Sequence, residues 1–250
     1  MDNSLKNKKN NAIIIEIRAG AGGEEAALFA ADLFRMYANY AKSHGWKQKI
    51  LDSHPTSLGG IKQVTFELKG ENVWEKMKYE AGVHRVQRIP KTEKGGRIHT
   101  STASVAVLLK PTETEIKIKP EELKIDYYRA SGPGGQYVNR RETAVRITHL
   151  PTGLIVTSQT ERNQLENKEN ALSILRARLL EIERRKTQEQ IAGARKSQIG
   201  SADRAEKIRT YNFPQDRITD HRIKKSWHDI EKILDGKLDP VIKKLSKILK

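Results

Sequence analysis

Ile13, Ile14, Ile15 and Ile17 form a β-branched run that ends in Gly20-Ala21-Gly22-Gly23, with Glu24 and Glu25 directly behind it. β-Branched side chains are stiff at χ1 and suit extended backbone, so the run reads as a buried strand. The glycines permit a sharp reversal, and the two acids suit a helix start, where they complement the helix dipole. Strand, tight turn and helix in that order limit the start of the chain to a sheet with a helix laid back on it. Leu28, Phe29, Phe34, Met36, Tyr37 and Tyr40 give that helix its apolar surface, and Gly45 ends it.

The pattern continues in kind. Val64, Phe66 and Leu68 alternate as a strand, and a short helix from Glu71 to Glu80 stops at Gly82. Val83 to Ile89 is extended, Pro90 to Gly96 is a loop, and Ala103, Val105, Val107 and Leu109 alternate again. After Pro120 the character changes. Two strand-like stretches, Lys124 to Tyr128 and Val145 to Leu150, flank a Gly-rich polar loop from Ala130 to Arg141. The turn Pro151-Thr152-Gly153 sets a hairpin with Leu154 to Gln159. A long polar helix from about Gln164 to Lys196 carries Leu172, Leu175, Leu179 and Ile182 as one stripe. Gly200 to Asp220 shows no strong period and reads as a linker, and Ser226 to Lys250 as one or two short amphipathic helices.

The predicted class is therefore α+β. An α/β domain over 12–118, completed by a C-terminal segment over 215–250, carries an inserted smaller α+β domain over 119–200. A linker covers 201–214, and 1–11 is a disordered lead-in.

The chain has 47 Lys and Arg against 31 Asp and Glu, a formal charge of +16. Clustered cations gain affinity for phosphates by releasing counterions, so a nucleic acid is the favoured partner over mere solubility. There are no cysteines, which excludes disulfides, thiolate metal sites and cysteine nucleophiles. No apolar run reaches the length of a membrane span, and the Lys- and Asn-rich start is no signal peptide. The expectation is a cytoplasmic protein with no membrane partner.

Three constellations remain. Gly20 to Glu25 follows a strand and opens a helix, as a dinucleotide site would, but Glu25 occupies the third glycine's place and two carboxylates would repel a pyrophosphate. A tight acid-capped turn is the plain alternative; the other is a helix start whose unpaired N–H groups read acceptors on a base edge. The histidines His44, His54, His84, His99, His149, His221 and His228 form no helical metal pair, so neither metal nor cofactor is expected. No nucleophile elbow is present either. Ser131-Gly132-Pro133-Gly134-Gly135-Gln136, flanked by Arg129, Arg140 and Arg141, is the sharpest feature. Its glycines let backbone approach a partner closely, and its amides can serve as oxyanion or leaving-group donors without an ionisable side chain. A mobile turn is the alternative that composition alone favours.

The residues Gly132 to Asn139 resemble the GGQ segment of class-1 peptide chain release factors, and Ala144 to Gly153 resemble the text that follows it in that family. Arg209-Thr210-Tyr211-Asn212-Phe213-Pro214-Gln215 and Thr219-Asp220-His221-Arg222 are similar to later family segments. Arg18 to Ala26 resembles the start of the family's codon-reading domain. The resemblance runs from about Ala12 to the C-terminus. Gln87-Arg88-Ile89-Pro90-Lys91-Thr92, with Ile98-His99-Thr100, resembles the Pro-x-Thr reading loop of the bacterial branch that terminates at UAA and UAG; the Ser-Pro-Phe of the other branch is absent.

The resemblance implies translation termination: stop-codon recognition in the ribosomal A site and hydrolysis of the peptidyl-tRNA ester. It implies that the helix tip at Gly22 and Glu25 meets the first base through backbone groups, and that Thr92, beside Pro90, bonds the first two bases. His99 would stack on the second base, and Gln87, Ile98 and Thr100 would surround the third. Single-stranded RNA is read in this way, by stacking and by bonds to splayed base edges. Lys91 would add a phosphate contact. Gly134 and Gly135 would aim the Gln136 amide at the reacting ester, and the family's glutamine is often N5-methylated, which makes a glutamine methyltransferase a partner. The other partners implied are the 16S and 23S rRNA of the ribosome, the mRNA stop codon and peptidyl-tRNA. The ribosome would supply the rest of the active site, so the chain is not a stand-alone enzyme. The stretch Gly200 to Pro214 resembles the family's switch region, and Arg195, Lys196, Arg204, Lys207 and Arg209, in it or just before it, are candidate rRNA contacts or solvated charges in equal measure.

The family usually begins with a helical N-terminal domain, whereas this chain starts almost at the codon-reading domain; a natural minimal form and a shortened chain both fit. Two competing readings stay open. A codon-independent ribosome-rescue hydrolase would carry the GGQ triplet but lack the reading loop or add a long basic tail. A non-catalytic RNA-binding protein would tolerate a broken glycine pair.

Overall fold

The computed structural model describes residues 11–90, 93, 95–110, 118–130, 141–200 and 204–249. They fall into two units, one of Met1–Pro111 with Ile191–Lys250 and one of Thr112–Gln190. The class is α+β, with eleven strands in two sheets among the described residues.

The first unit is built on the isoleucine run. Strand β1 (Ala12–Ala19) pairs antiparallel with β3 (Ile61–Lys69) on one side and β5 (His99–Leu109) on the other. Ile13, Ile15 and Ile17 are fully buried on one face. There they meet helix α1 (Gly23–Ser43) through Phe29, Leu33, Met36, Tyr37 and Tyr40. Val64, Phe66 and Leu68 of β3 and Ala103, Val105 and Val107 of β5 complete the contact. The full strand order is β11-β10-β9-β4-β5-β1-β3-β2, where β2 is Lys47–Pro55, β4 Gly82–Arg88, β9 Lys207–Asn212, β10 Arg217–Asp220 and β11 Lys225–Trp227. All pairs are antiparallel except β4 with β9. The helices α2 (Val73–Met77), α4 (Ile230–Leu234) and α5 (Asp239–Ile248) add Val73, Ile233, Val241 and Leu245 to the same core.

The second unit is a three-stranded sheet, β6 (Leu123–Tyr128), β7 (Ala144–His149) and β8 (Leu154–Ser158), with β7 central. Helix α3 (Gln164–Ile199) packs Ala171, Leu175 and Leu179 on Val145, Ile147 and Val156. Residues 191–199, the last turns of α3, belong to the first unit. There Arg195 pairs with Glu16. The Gln198 amide bonds both the N–H and the C=O of Val107, at 2.9 Å each, as a neighbouring strand would.

Several expectations change. The stripe on α3 is Ala171, Leu175 and Leu179, at i, i+4 and i+8, while Ile182 is 44% exposed. The short helix after Glu71 is a five-residue helix and a 3-10 turn (Lys78–Glu80), and Gly82 opens β4 instead of ending a helix. Leu109 is exposed, and β5 is buried on both faces from Ser101 to Leu108 instead of alternating. The stretch 201–214, expected to be a linker, holds β9, a strand inside the sheet; β10 follows it. Residues 201–203 lie outside the described residues. Strand β2 went unread because all nine of its residues are exposed. An edge strand wet on both faces carries no period-2 signal.

Candidate functional site

The turn between β1 and α1 continues the β1–β5 ladder. Gly20 N–H donates to the Thr102 carbonyl at 2.8 Å, and Thr102 N–H to that of Ala21 at 2.9 Å. The Thr102 hydroxyl accepts from Ala21 N–H at 3.0 Å. Gly22 has φ +133, and a Cβ there would collide with the Ser101 side chain. Only glycine fits a positive φ against a neighbouring strand at such range. The turn is thereby fastened on Ser101 and Thr102, and α1 starts beside the end of β5 with no side chain capping it. Its first amides have no partner within the helix.

The ladder then aligns the other residues. Gln87 stands opposite Thr100 and Arg88 opposite His99 in the β4–β5 pair. Gln87 also stands beside Asn212 of β9, whose amide reaches it at 3.5 Å. Arg88 fixes the helix tip: Nε donates to Glu25 at 2.6 Å and Nη1 to Asp32 at 2.7 Å, and its guanidinium lies 5.2 Å from the Phe213 ring centroid. Glu25 is 3% exposed. Its carboxylate faces Arg88, which leaves the backbone of the helix start as the part of this turn not covered by that ion pair.

His99 is exposed and receives a carboxylate from its own loop. Its Nε2 lies 2.7 Å from Glu93 Oε2, and Gly95 N–H donates to Glu93 Oε1 at 2.7 Å. The Gly95 amide, with His99 and Arg97 beside it, holds the Glu93 carboxyl below the usual range. Ile98 is 56% exposed next to this clasp, and Pro90 is buried. One end of the large sheet therefore brings together Gly22, Glu25, Gln87, His99 and Thr100. Lys91 and Thr92 lie outside the described residues.

The sequence reading missed Arg88, Asp32 and Glu93. The Arg88 pairs span 63 and 56 residues of chain, so no local pattern signals them. It also misplaced Arg209. That side chain is fully buried, with Nη1 and Nη2 donating to the two Glu80 oxygens at 2.7 and 2.8 Å. Asp220 lies 3.3 Å away and joins it to Arg222. Such a group cannot meet rRNA phosphates. Arg195 is paired with Glu16, Lys196 is exposed, Lys207 is half-buried, and the Arg204 side chain lies outside what is described.

In the second unit Gly134, Gly135 and Gln136 lie outside the described residues. Tyr128 ends β6 and stands opposite Ala144, which opens β7, so the segment 129–143 leaves and re-enters the sheet at paired positions. Arg146 lies 5.3 Å from the Tyr128 ring centroid. Among the described residues, no group of three or more His, Cys, Asp or Glu could hold a metal ion, and no helix is long and apolar enough to cross a membrane.

Residues 3–105 match the PCRF domain and residues 112–222 the RF-1 domain. Peptide chain release factor 1 of Thermotoga maritima is 58% identical over 241 residues, covering 96% of this chain and 70% of that protein. The proteins of the same name from Carboxydothermus hydrogenoformans and Aquifex aeolicus are 60% and 62% identical over 230 residues. This chain spans 64% of the length of each of those two. A solved chain described as RF2 of Thermus thermophilus superposes with a TM-score of 0.59 at 42% identity, covering 96% of this chain and 69% of that one.

Proposed function

Because this chain belongs to the peptide chain release factor 1 family, we propose that it ends translation at UAA and UAG by triggering hydrolysis of the peptidyl-tRNA ester on the ribosome. The observation that carries the reading is the register of β4 on β5. It sets Gln87 against Thr100 and Arg88 against His99, beside a helix start fastened to Ser101 and Thr102. Three base-reading groups then share one rim with the first amides of α1, which have no partner within the helix. First-turn N–H groups near Gly22 and Glu25 meet the carbonyls of a uracil. Thr92, with Pro90 and Lys91 beside it, bonds the first two bases. His99 stacks on the second, and Gln87, Ile98 and Thr100 accept A or G at the third.

Release is assigned to the second unit. Gly134 and Gly135 let the backbone present the Gln136 N–H to the oxyanion or to the departing ribose oxygen. One preorganised donor of this kind is worth about 3 kcal/mol of transition-state stabilisation. The Gln136 side chain restricts the nucleophile to water, and it is the atom set a glutamine methyltransferase would modify. The site of action is the ribosome, in the cytoplasm.

The test is peptide release from ribosomes carrying fMet-tRNA and programmed with UAA, UAG, UGA or no codon. Release at UAA and UAG alone supports the reading. Release without any codon would assign the chain to ribosome rescue, and binding without release to a passive RNA-binding role. Gly135→Ala is expected to abolish release while leaving stop-codon binding nearly intact; equal loss of both would overturn the division between the two units.

A further inference from the structure

We propose that Asn167 and Gln164 are positioning residues for hydrolysis. Two side-chain amides on the first turn of α3 hold the returning end of the segment that carries Gly134 to Gln136. The inference rests on the reading of that segment given above.

Asn167 is fully buried inside a helix, where a buried amide is costly unless its hydrogen-bonding capacity is met. An amide has two N–H donors and two oxygen lone pairs, and here all four are used. Nδ2 donates to the Thr143 carbonyl at 2.9 Å and to the Glu161 carbonyl at 2.8 Å. Oδ1 accepts from the Ser158 hydroxyl and from Glu161 N–H, each at 3.1 Å. None of these partners lies in α3. The helix start does not need them, because Asn163 Oδ1 already accepts from Leu165 N–H at 3.0 Å. Three residues earlier, Gln164 Nε2 donates to the Glu142 carbonyl at 2.8 Å. Residues three apart share a helix face, so two successive carbonyls, 142 and 143, are held by one face of α3. The chain thus enters β7 past Glu142 and Thr143 with both carbonyls held.

This arrangement suits a task of aim. Preorganised donors lose much of their effect when displaced by about 1 Å, and an amide bond to the backbone sets direction without adding charge near the ester. Gln164 is exposed, and among the described residues its side chain bonds the Glu142 carbonyl, so its loss should cost the fold little.

The experiment measures single-turnover release by the full chain on ribosomes halted at UAA, across a range of protein concentrations. Gln164→Ala and Gln164→Glu remove the donor on the surface. Asn167→Asp removes the Nδ2 donor at constant shape, and Gly135→Ala serves as reference. The Gln164 variants should lower the saturating release rate by about fivefold, the effect of one lost hydrogen bond. The half-saturating concentration, the preference for UAA over UGA and the melting temperature should stay unchanged. Asn167→Asp should lower the rate further. Parent-rate release by both Gln164 variants, with Gly135→Ala inactive, overturns the inference alone. So does a loss that appears only as weaker half-saturation. Parent-rate release by Gly135→Ala overturns the reading of Gly134 to Gln136 itself, and this inference with it.

Discussion

Arg88 and Arg209 look alike in the sequence, yet one seats the start of α1 and the other lies in the interior. Arg88 is the counter-charge of Glu25, whose carboxylate is 3% exposed. Arg88→Met should leave that carboxylate stranded and cost about 3 kcal/mol, read by urea unfolding, while loosening the start of α1. A shift under 0.5 kcal/mol would show that the pair is not needed. Near Arg209, His84 is fully buried; its Nε2–H donates to the Glu80 carbonyl at 2.9 Å and its Nδ1 accepts from the Tyr211 hydroxyl at 3.4 Å. Burial and the Arg209 charge push its pKa down to about 4. The unfolded chain then binds the proton more readily, so stability present above about 6.5 is lost as pH falls toward 4. Glu80 and Asp220, held below the usual carboxylate range by Arg209 and Arg222 in spite of burial, act in the same direction at lower pH. His84→Gln should flatten the stability curve between pH 6.5 and 4.5, and an unchanged slope would contradict the assignment.

At the scale of elements, β9 shows why part of the sheet was illegible. Its core-facing residues are Arg209 and Tyr211, both fully buried. A strand with an arginine on its inner face shows no apolar alternation, and only the distant Glu80 and Asp220 make that arginine acceptable inside. Arg209→Met should destabilise the first unit by about 4 kcal/mol, because two carboxylates lose their partner; a neutral result in thermal melts would mean that water reaches the cluster. Helix α3 offers the opposite comparison. Leu175 is fully buried and Ile182 is 44% exposed, although both fit a helical stripe in the sequence. Leu175→Ala should cost about 3 kcal/mol and Ile182→Ala less than about 0.5 kcal/mol, measured by chemical unfolding. Similar costs would place the sheet on a different face of the helix.

For the whole molecule, the charge of +16 predicts that ribosome affinity falls steeply with salt. The excess is uneven: residues 112–190 carry 14 Lys and Arg against 12 Asp and Glu, so nearly all of it lies on the first unit. Affinity should therefore be lost on raising salt from 50 to 200 mM, with little change in the release rate at saturation; a rate that falls with affinity would tie the charge to the chemistry. By itself the sequence determined the α+β class, the isoleucine strand with its glycine turn and acid-led helix, the hairpin of β7 and β8, and the family motifs at Gln87–Thr92 and Gly134–Gln136. Those signals are local, carried by residues a few positions apart whose periodicity or glycine content admits few conformations. Tertiary structure alone decided that β9 lies inside the sheet, that Arg88 seats the helix tip, that Glu93 holds His99, and that Asn167 uses all four of its hydrogen-bonding places. Each depends on groups brought together through space, and the merit of a buried polar side chain lies in its partners, which its own neighbourhood in the chain does not specify.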